Sequence, residues 1–251
     1  MRINNLTKKF GKKVIFDNSN FHFEEHGVTY IMGESGVGKT TLLRIIAQLD
    51  KDYKGEFNFS EKKISYIFQE PRLFPNLTVY ENVKITSENS KYSVDEVLSY
   101  VELIDEKDSL PSSLSGGMKM RVALARAIYF DADIVLMDEP FAALDDDLKA
   151  RILPKIFEIL KNKAVIIVSH NLEEAKKFSD KIINITSTWT IFSSTLLSKM
   201  KMTSSQKLRS FSLIVTSASR LPLLLWCRHW ATTSVYYRWG KLIYREGHSA
   251  K

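Results

Sequence analysis

Apolar positions in the first 25 residues come in short alternating pieces: Ile3 and Leu6, then Val14, Ile15 and Phe16, then Phe21 and Phe23. That period predicts β-strands joined by tight turns. A β-branched run, Val28-Thr29-Tyr30-Ile31-Met32, follows, and beyond a glycine-rich gap Thr41 to Ala47 reads as a helix. Gly55–Phe59 and Ile64–Phe68 predict two further strands, residues 78–109 are polar and helix-like, and Arg121–Ile128 reads as helix. Ile134–Met137 and Ala164–Val168 are near-continuous apolar runs, the signature of parallel strands covered on both faces. Between them Asp145 is placed to cap a helix, with Asp146 and Asp147 in its first turn and Leu148, Ile152, Ile156 and Ile159/Leu160 on its apolar face. Pro154 removes one of its hydrogen bonds and predicts a kink. Asn171 followed by Glu174 predicts a capping box opening a helix through Phe178. Strands alternating with helices predict an α/β domain. There is no internal repeat and no low-complexity linker.

Composition divides the chain. Overall it is 44% hydrophobic and 26% charged, ordinary for a globular protein, with a net charge of +7. Residues 186–251 hold ten Lys/Arg against the single acid Glu246, together with Trp189, Trp226, Trp230, Trp239 and the only cysteine, Cys227. Residues 1–185 hold the other 26 basic and 28 acidic residues. This break places a boundary near Ile185, between a domain at 1–185 and a basic, aromatic-rich tail at 186–251. Three readings of the tail stay open: a membrane-surface or nucleic-acid-binding extension, a small regulatory domain, or the product of a shifted reading frame. None gives it a part in the chemistry below. One cysteine excludes an internal disulfide framework and fits a reducing compartment. The chain opens without an apolar leader, and the stretch from Phe211 to Trp226, broken by Arg220, is short for a membrane span.

The gap after Met32 carries the chemistry. Gly33-Glu34-Ser35-Gly36-Val37-Gly38-Lys39-Thr40, followed by Thr41, is a complete phosphate loop between a strand and a helix. Its glycines let backbone N–H groups curl around phosphate oxygens at a helix N-terminus. Lys39 would reach the β- and γ-phosphates, and the Thr40 hydroxyl would ligate Mg²⁺. The motif predicts binding of a nucleoside triphosphate. Asp138 and Glu139 follow a sheet strand, where ligands of open α/β sheets bind. Asp138 would orient Mg²⁺ through water, and Glu139 could act as general base on an attacking water. His170 closes the other apolar strand at the same edge and is placed for a γ-phosphate contact. Leu114-Ser115-Gly116-Gly117-Met118 precedes the helix at Arg121–Ile128 and forms a second anion-binding helix start. Two such starts imply either two ligands or one ligand shared between two chains.

These motifs, in this order, resemble the ATP-binding cassette (ABC) family over residues 1 to about 185. The matching series is the phosphate loop, Gln69 ending a strand, Leu114–Gly117, Asp138-Glu139, Ala143-Leu144-Asp145 and His170. The resemblance implies a phosphate-loop core with a mainly parallel sheet, an N-terminal antiparallel β subdomain and a helical subdomain at about 78–130. It implies ATP and Mg²⁺ as ligands, with Phe10 stacking on adenine, Gln69 sensing Mg²⁺ and the attacking water, and Asp145 contacting an opposite subunit. It further implies a head-to-tail homodimer in which Ser115, Gly116 and Gly117 of one subunit close on ATP held by the other. Further implied partners are integral-membrane permease subunits and, indirectly, a solute-binding protein, at the cytoplasmic face of the membrane and without nucleic acid. Phe68-Gln69-Glu70-Pro71-Arg72-Leu73, Met118 and Asp138–Asp145 resemble the importer ATPases for nitrate, sulfonate, taurine and thiamine-precursor substrates. Gln48, where Gly is usual, and Met120, where Gln is usual, depart from that pattern. An ABC-type ATPase acting on ribosomes or nucleic acid is the alternative. A kinase or GTPase would leave Leu114–Gly117 and His170 unexplained.

Overall fold

The computed structural model describes residues 1–59, 62–88 and 90–186, and beyond them the strands at 192–193, 233–238 and 241–246. The other tail residues, and the readings that rest on them, lie outside the described residues. The chain forms two compact units, Met1–Lys199 and Met200–Lys251.

The first unit opens with β1 (Arg2–Phe10) and β2 (Lys13–His22), an antiparallel hairpin closed at Phe10 opposite Lys13. Its ladder slips at Asn5 and Asn18, whose positive φ angles of 54° and 50° suit asparagine better than a branched residue. β3 (Gly27–Gly33) leads into the phosphate loop and α1 (Lys39–Ile46). β4 (Lys54–Phe57) adds to the free edge of β1, giving the sheet β2-β1-β4. β5 (Ile64–Ile67) then starts a separate sheet. The polar stretch that follows is several short helices: α2 (Val79–Lys84), α3 (Val94–Tyr100), two single 3₁₀ turns, then α4 (Gly116–Phe130). Full capping boxes open the first two, Thr78 with Glu81 and Ser93 with Glu96. Buried Asn82 clamps the loop entering α2, donating to the carbonyls of Phe74, Leu77 and Thr78 and accepting from the Phe74 N–H.

β6 (Ile134–Asp138), α5 (Asp146–Leu160), β7 (Ala164–Val168), α6 (Leu172–Phe178), β8 (Lys181–Ile185) and β9 (Phe192–Ser193) complete this unit. Its main sheet has the order β5-β6-β7-β3-β8-β9, parallel except for β9. The apolar runs alternate between two cores, as period-2 geometry requires. Val28, Tyr30, Met32, Val135, Met137, Val165 and Ile167 face the helical layer of α2–α6. Ile31, Ile134, Leu136, Ala164, Ile166 and Val168 face α1 and the antiparallel sheet. In the second unit, β10 (Thr233–Arg238) and β11 (Lys241–Glu246) pair antiparallel, with Arg238 opposite Lys241.

α5 continues through Pro154, and both Pro154 and Ala150, the residue whose carbonyl loses its donor, are exposed. Two local expectations change. Asn171 caps α6 by accepting from the Glu174 N–H at 3.0 Å, but the Glu174 carboxyl does not return the bond. It turns inward and accepts from the Tyr30 hydroxyl at 3.2 Å. The last predicted strand residue before Gln69 also falls short: β5 ends at Ile67, two residues earlier.

Candidate active site

Four parallel strands, β5, β6, β7 and β3, end together at one edge. Register sets the level: Val168 pairs with Ile31 of β3 on one side and Asp138 of β6 on the other, while Ile67 of β5 pairs with Met137. Gln69, Glu139, His170 and the phosphate loop therefore all emerge beyond the carboxyl ends of the sheet.

The loop is built for anions. Gly33, Gly36 and Gly38 have φ angles of 150°, 78° and 109°. A Cβ on Gly38 would lie 2.5 Å from the Ile15 side chain and 3.0 Å from the Phe16 ring, so the hairpin packs directly on the loop. Every other α-helix among the described residues has a side-chain cap, from Thr78, Ser93, Ser115, Asp145 and Asn171. α1 has Gly38 and no side-chain cap, and no acid stands in its first turn. Its first N–H groups are thus left for a ligand. Lys39, only 6% exposed, arches back over the loop and donates to the carbonyls of Gly33 and Glu34, each at 2.8 Å. Burial lowers its pKa, with Glu139 and Asp138 opposing. The ammonium has three donors, so one remains for a phosphate oxygen.

β7 stands between β6 and β3, so Asp138 starts about 10 Å from the phosphate-loop strand. α1 closes the gap by packing on both β3 and β6, which brings Thr40 beside Asp138. Asp138 is 4% exposed, and burial raises its pKa, while Thr40, Lys39 and Tyr66 draw it down. Tyr66, on neighbouring β5, is a group the sequence reading missed; its pKa is pushed up by burial and by Asp138. Alternation marked it as a sheet residue, but only the β5-β6 register sets it diagonally across from Asp138 on the same face.

Glu139 takes a left-handed backbone, φ 51°, with its N–H bonded to the Val168 carbonyl at 2.9 Å. Nε2 of His170 lies 3.2 Å from Oε1 of Glu139 without hydrogen-bond alignment, so this buried oxygen has no donor among the described residues. Burial pushes the Glu139 carboxyl up, His170 draws it down, and Asp138 adds to the rise. An orphaned buried carboxylate oxygen needs a partner, and an attacking water is one that fits. Among the described residues no group of three or more His, Cys, Asp or Glu side chains could hold a metal ion by itself. Thr40 and Asp138 would, with substrate phosphates, offer the sparse oxygen set that Mg²⁺ prefers.

The remaining expected residues make no hydrogen bond to this cluster among the described residues. Phe10, at the end of β1, is 52% exposed despite its apolar ring. Gln69 is exposed. Ser115 caps α4 by accepting from the Met118 N–H at 3.2 Å. Gly117 is required by close approach: a Cβ there would sit 2.9 Å from the Ala143 carbonyl. Asp145 caps α5 from an exposed position. α4 packs on α2, α3 and β5, and β5 is separated from β3 by two strands, about 14 Å in all. Gln48, placed just after α1, holds φ 57°, which explains physically why glycine suits this position.

Comparison with known proteins agrees with this geometry. A family model described as ABC transporter matches residues 16–142. The aliphatic sulfonates import ATP-binding protein SsuB of Bacillus cereus is 39% identical over 198 residues, covering 72% of this chain and 79% of its own. The Fe(3+) ions import ATP-binding protein FbpC of Fusobacterium nucleatum is 36% identical over 201 residues, and the chain spans only 54% of that relative's length. The dimeric structure of a bacterial ABC transporter cassette superposes with a TM-score of 0.64 at 30% identity, covering 74% of this chain and 94% of that one. With a phosphate loop, an acidic strand end and a capped signature helix in one α/β frame, the chain belongs to the ABC transporter family of ATPases.

Proposed function

We propose that the chain is the ATP-hydrolysing subunit of a small-solute importer, working as a head-to-tail pair on the cytoplasmic side of membrane permease subunits. The observation that carries the chemistry is the edge where an uncapped helix start, Lys39 and a Glu139 oxygen without a donor among the described residues meet. Lys39 and the free N–H groups of α1 grip the β- and γ-phosphates. Thr40, Asp138 and Gln69 would hold Mg²⁺, which supplies charge neutralisation at those phosphates. Glu139 takes a proton from the attacking water, and His170 fixes the position of that carboxylate and of the γ-phosphate. Phe10 supplies the base platform.

Pairing is supported by the placement of Ser115–Gly117 on the β5 side of the sheet, away from the loop of the same chain. It is supported also by the dimeric state of the related cassette. Import of a small solute is supported by the likeness to import subunits for sulfonates and iron. Among the described residues no helix is long and apolar enough to cross a membrane.

Equilibrium titration of the full-length protein with Mg-ATP tests the core of this reading. Lys39→Ala should weaken ATP binding at least about 100-fold, as expected for losing a buried charge-assisted phosphate contact. An unchanged dissociation constant would remove the phosphate loop from the site.

A further inference from the structure

We propose that Lys8 is a positioning residue for the nucleobase: it props the Phe10 ring from beneath and ties it to the segment that follows the phosphate-loop helix. The proposal rests on the reading of Phe10 as the base platform.

Lys8 is the only fully buried lysine of β1, 2% exposed, on a strand whose other lysine is exposed. Its ammonium donates to Oδ1 of Asp50 at 2.8 Å, to the Asp52 carbonyl at 2.6 Å and to Oδ2 of Asp52 at 3.3 Å. Burial alone would lower its pKa, but the bonds to Asp50 and Asp52 hold it above the ordinary lysine value, so it stays charged. Asp50 and Asp52 lie just past α1, in a turn closed by the Asp52 N–H on Oδ1 of Asp50. The Asp50 N–H also bonds back to the Arg44 carbonyl of α1. The acceptor end of this contact is therefore fixed to the phosphate-loop helix.

The other end reaches the base site. Residues 8 and 10 share one face of a strand, and the Lys8 ammonium sits 4.6 Å from the centre of the Phe10 ring. A cation held against one face of an aromatic ring is attracted by the ring quadrupole. That contact occupies one face and leaves the other for a stacked base, which accounts for a large apolar side chain being half-exposed. Across the hairpin, Lys8 pairs with Phe16, the ring that abuts Gly38 of the phosphate loop. Lys8 thus stands at the point where the hairpin, the loop and the exit of α1 meet. Phe10 lies two residues, about 7 Å, further along the strand. A nucleotide held at base and phosphates together needs that spacing constant, because any slack must be frozen out on binding.

The test separates base from phosphate. Mg-ATP and inorganic tripolyphosphate would be titrated against the full-length protein, Phe10→Ala, Lys8→Met, Lys8→Arg and Asp50→Asn/Asp52→Asn. Phe10→Ala should weaken ATP by about 5- to 150-fold and leave tripolyphosphate unchanged. Lys8→Met and the double Asp variant should each weaken ATP about 3- to 30-fold, again sparing tripolyphosphate. Lys8→Arg should recover most of the loss, and adding Lys8→Met to Phe10→Ala should cost little more than Phe10→Ala alone. If Phe10→Ala leaves ATP affinity intact, the base-platform reading itself fails. A base-selective loss in Phe10→Ala but not in Lys8→Met or the Asp variant would overturn the role of Lys8 alone. An equal loss for both probes would make Lys8 a general structural tie and overturn the proposal too. Should Lys8→Met not fold, the Asp variant, which keeps the lysine, decides by the same criteria.

Discussion

Glu139→Gln is the sharpest perturbation of this site, because it changes one oxygen to an amide while keeping the shape of a side chain on a strained backbone, φ 51°. The side chain is 16% exposed and its Oε1 has no hydrogen-bond donor among the described residues. Its neighbours are poor substitutes as a base. Asp138 is 4% exposed and engaged with Thr40 and Tyr66, and His170 is more than half exposed. The full value of a positioned general base should therefore be lost, about 10²–10⁴-fold in kcat, or roughly 3–5 kcal/mol of barrier. Binding should move the other way. Glu139 and Asp138 both face Lys39, so deleting one negative charge near the incoming triphosphate leaves the ATP dissociation constant unchanged or lower. The assay is phosphate release at saturating Mg-ATP beside equilibrium ATP titration, both across pH. Burial holds the Glu139 pKa above the usual carboxylate range, so parental kcat should fall as pH drops through that raised value. Glu139→Gln should lose this acid limb. Turnover within about tenfold of the parent, or an acid limb that survives the substitution, would refute the assignment of Glu139 as base.

Two further outcomes follow from the geometry. Ser115→Arg should abolish hydrolysis while sparing ATP binding by the isolated chain. Mixed with Lys39→Ala protein, it should recover part of the ATPase rate, since one of the two composite sites then carries both defects; no recovery would argue against a shared site or show that both sites must fire together. Tyr30→Phe should destabilise the protein by about 1–3 kcal/mol, because it leaves the buried Glu174 carboxyl without its hydroxyl donor. Burial raises the Glu174 pKa and the Tyr30 bond lowers it, so the loss should be full above that pKa and shrink as pH falls through it. Urea denaturation at about pH 8 and about pH 5 would show a gap that does not narrow if this sign is wrong.

What the chain determines locally, the sequence already displays. The phosphate loop, the Asp145 cap, the two-faced apolar runs of β6 and β7 and the hairpin of β1 and β2 depend on residues within a few positions of one another. Their chemistry is set by backbone conformation and periodicity, so residue order alone displays them. What only the tertiary structure decides are choices between competing distant partners. Glu174 stands where a capping box would use it, yet it bonds Tyr30, 144 residues away, because a carboxyl that faces the core must take the donor it finds there. Lys8 reads as one of two adjacent strand lysines, and its burial follows from Asp50 and Asp52 arriving past α1. Asp138 and the phosphate loop belong to strands separated by β7, and only the packing of α1 across the sheet brings Thr40 to that carboxylate. Local motifs name the chemistry; burial, which makes every polar group compete for the few partners within reach, decides which residues meet to perform it.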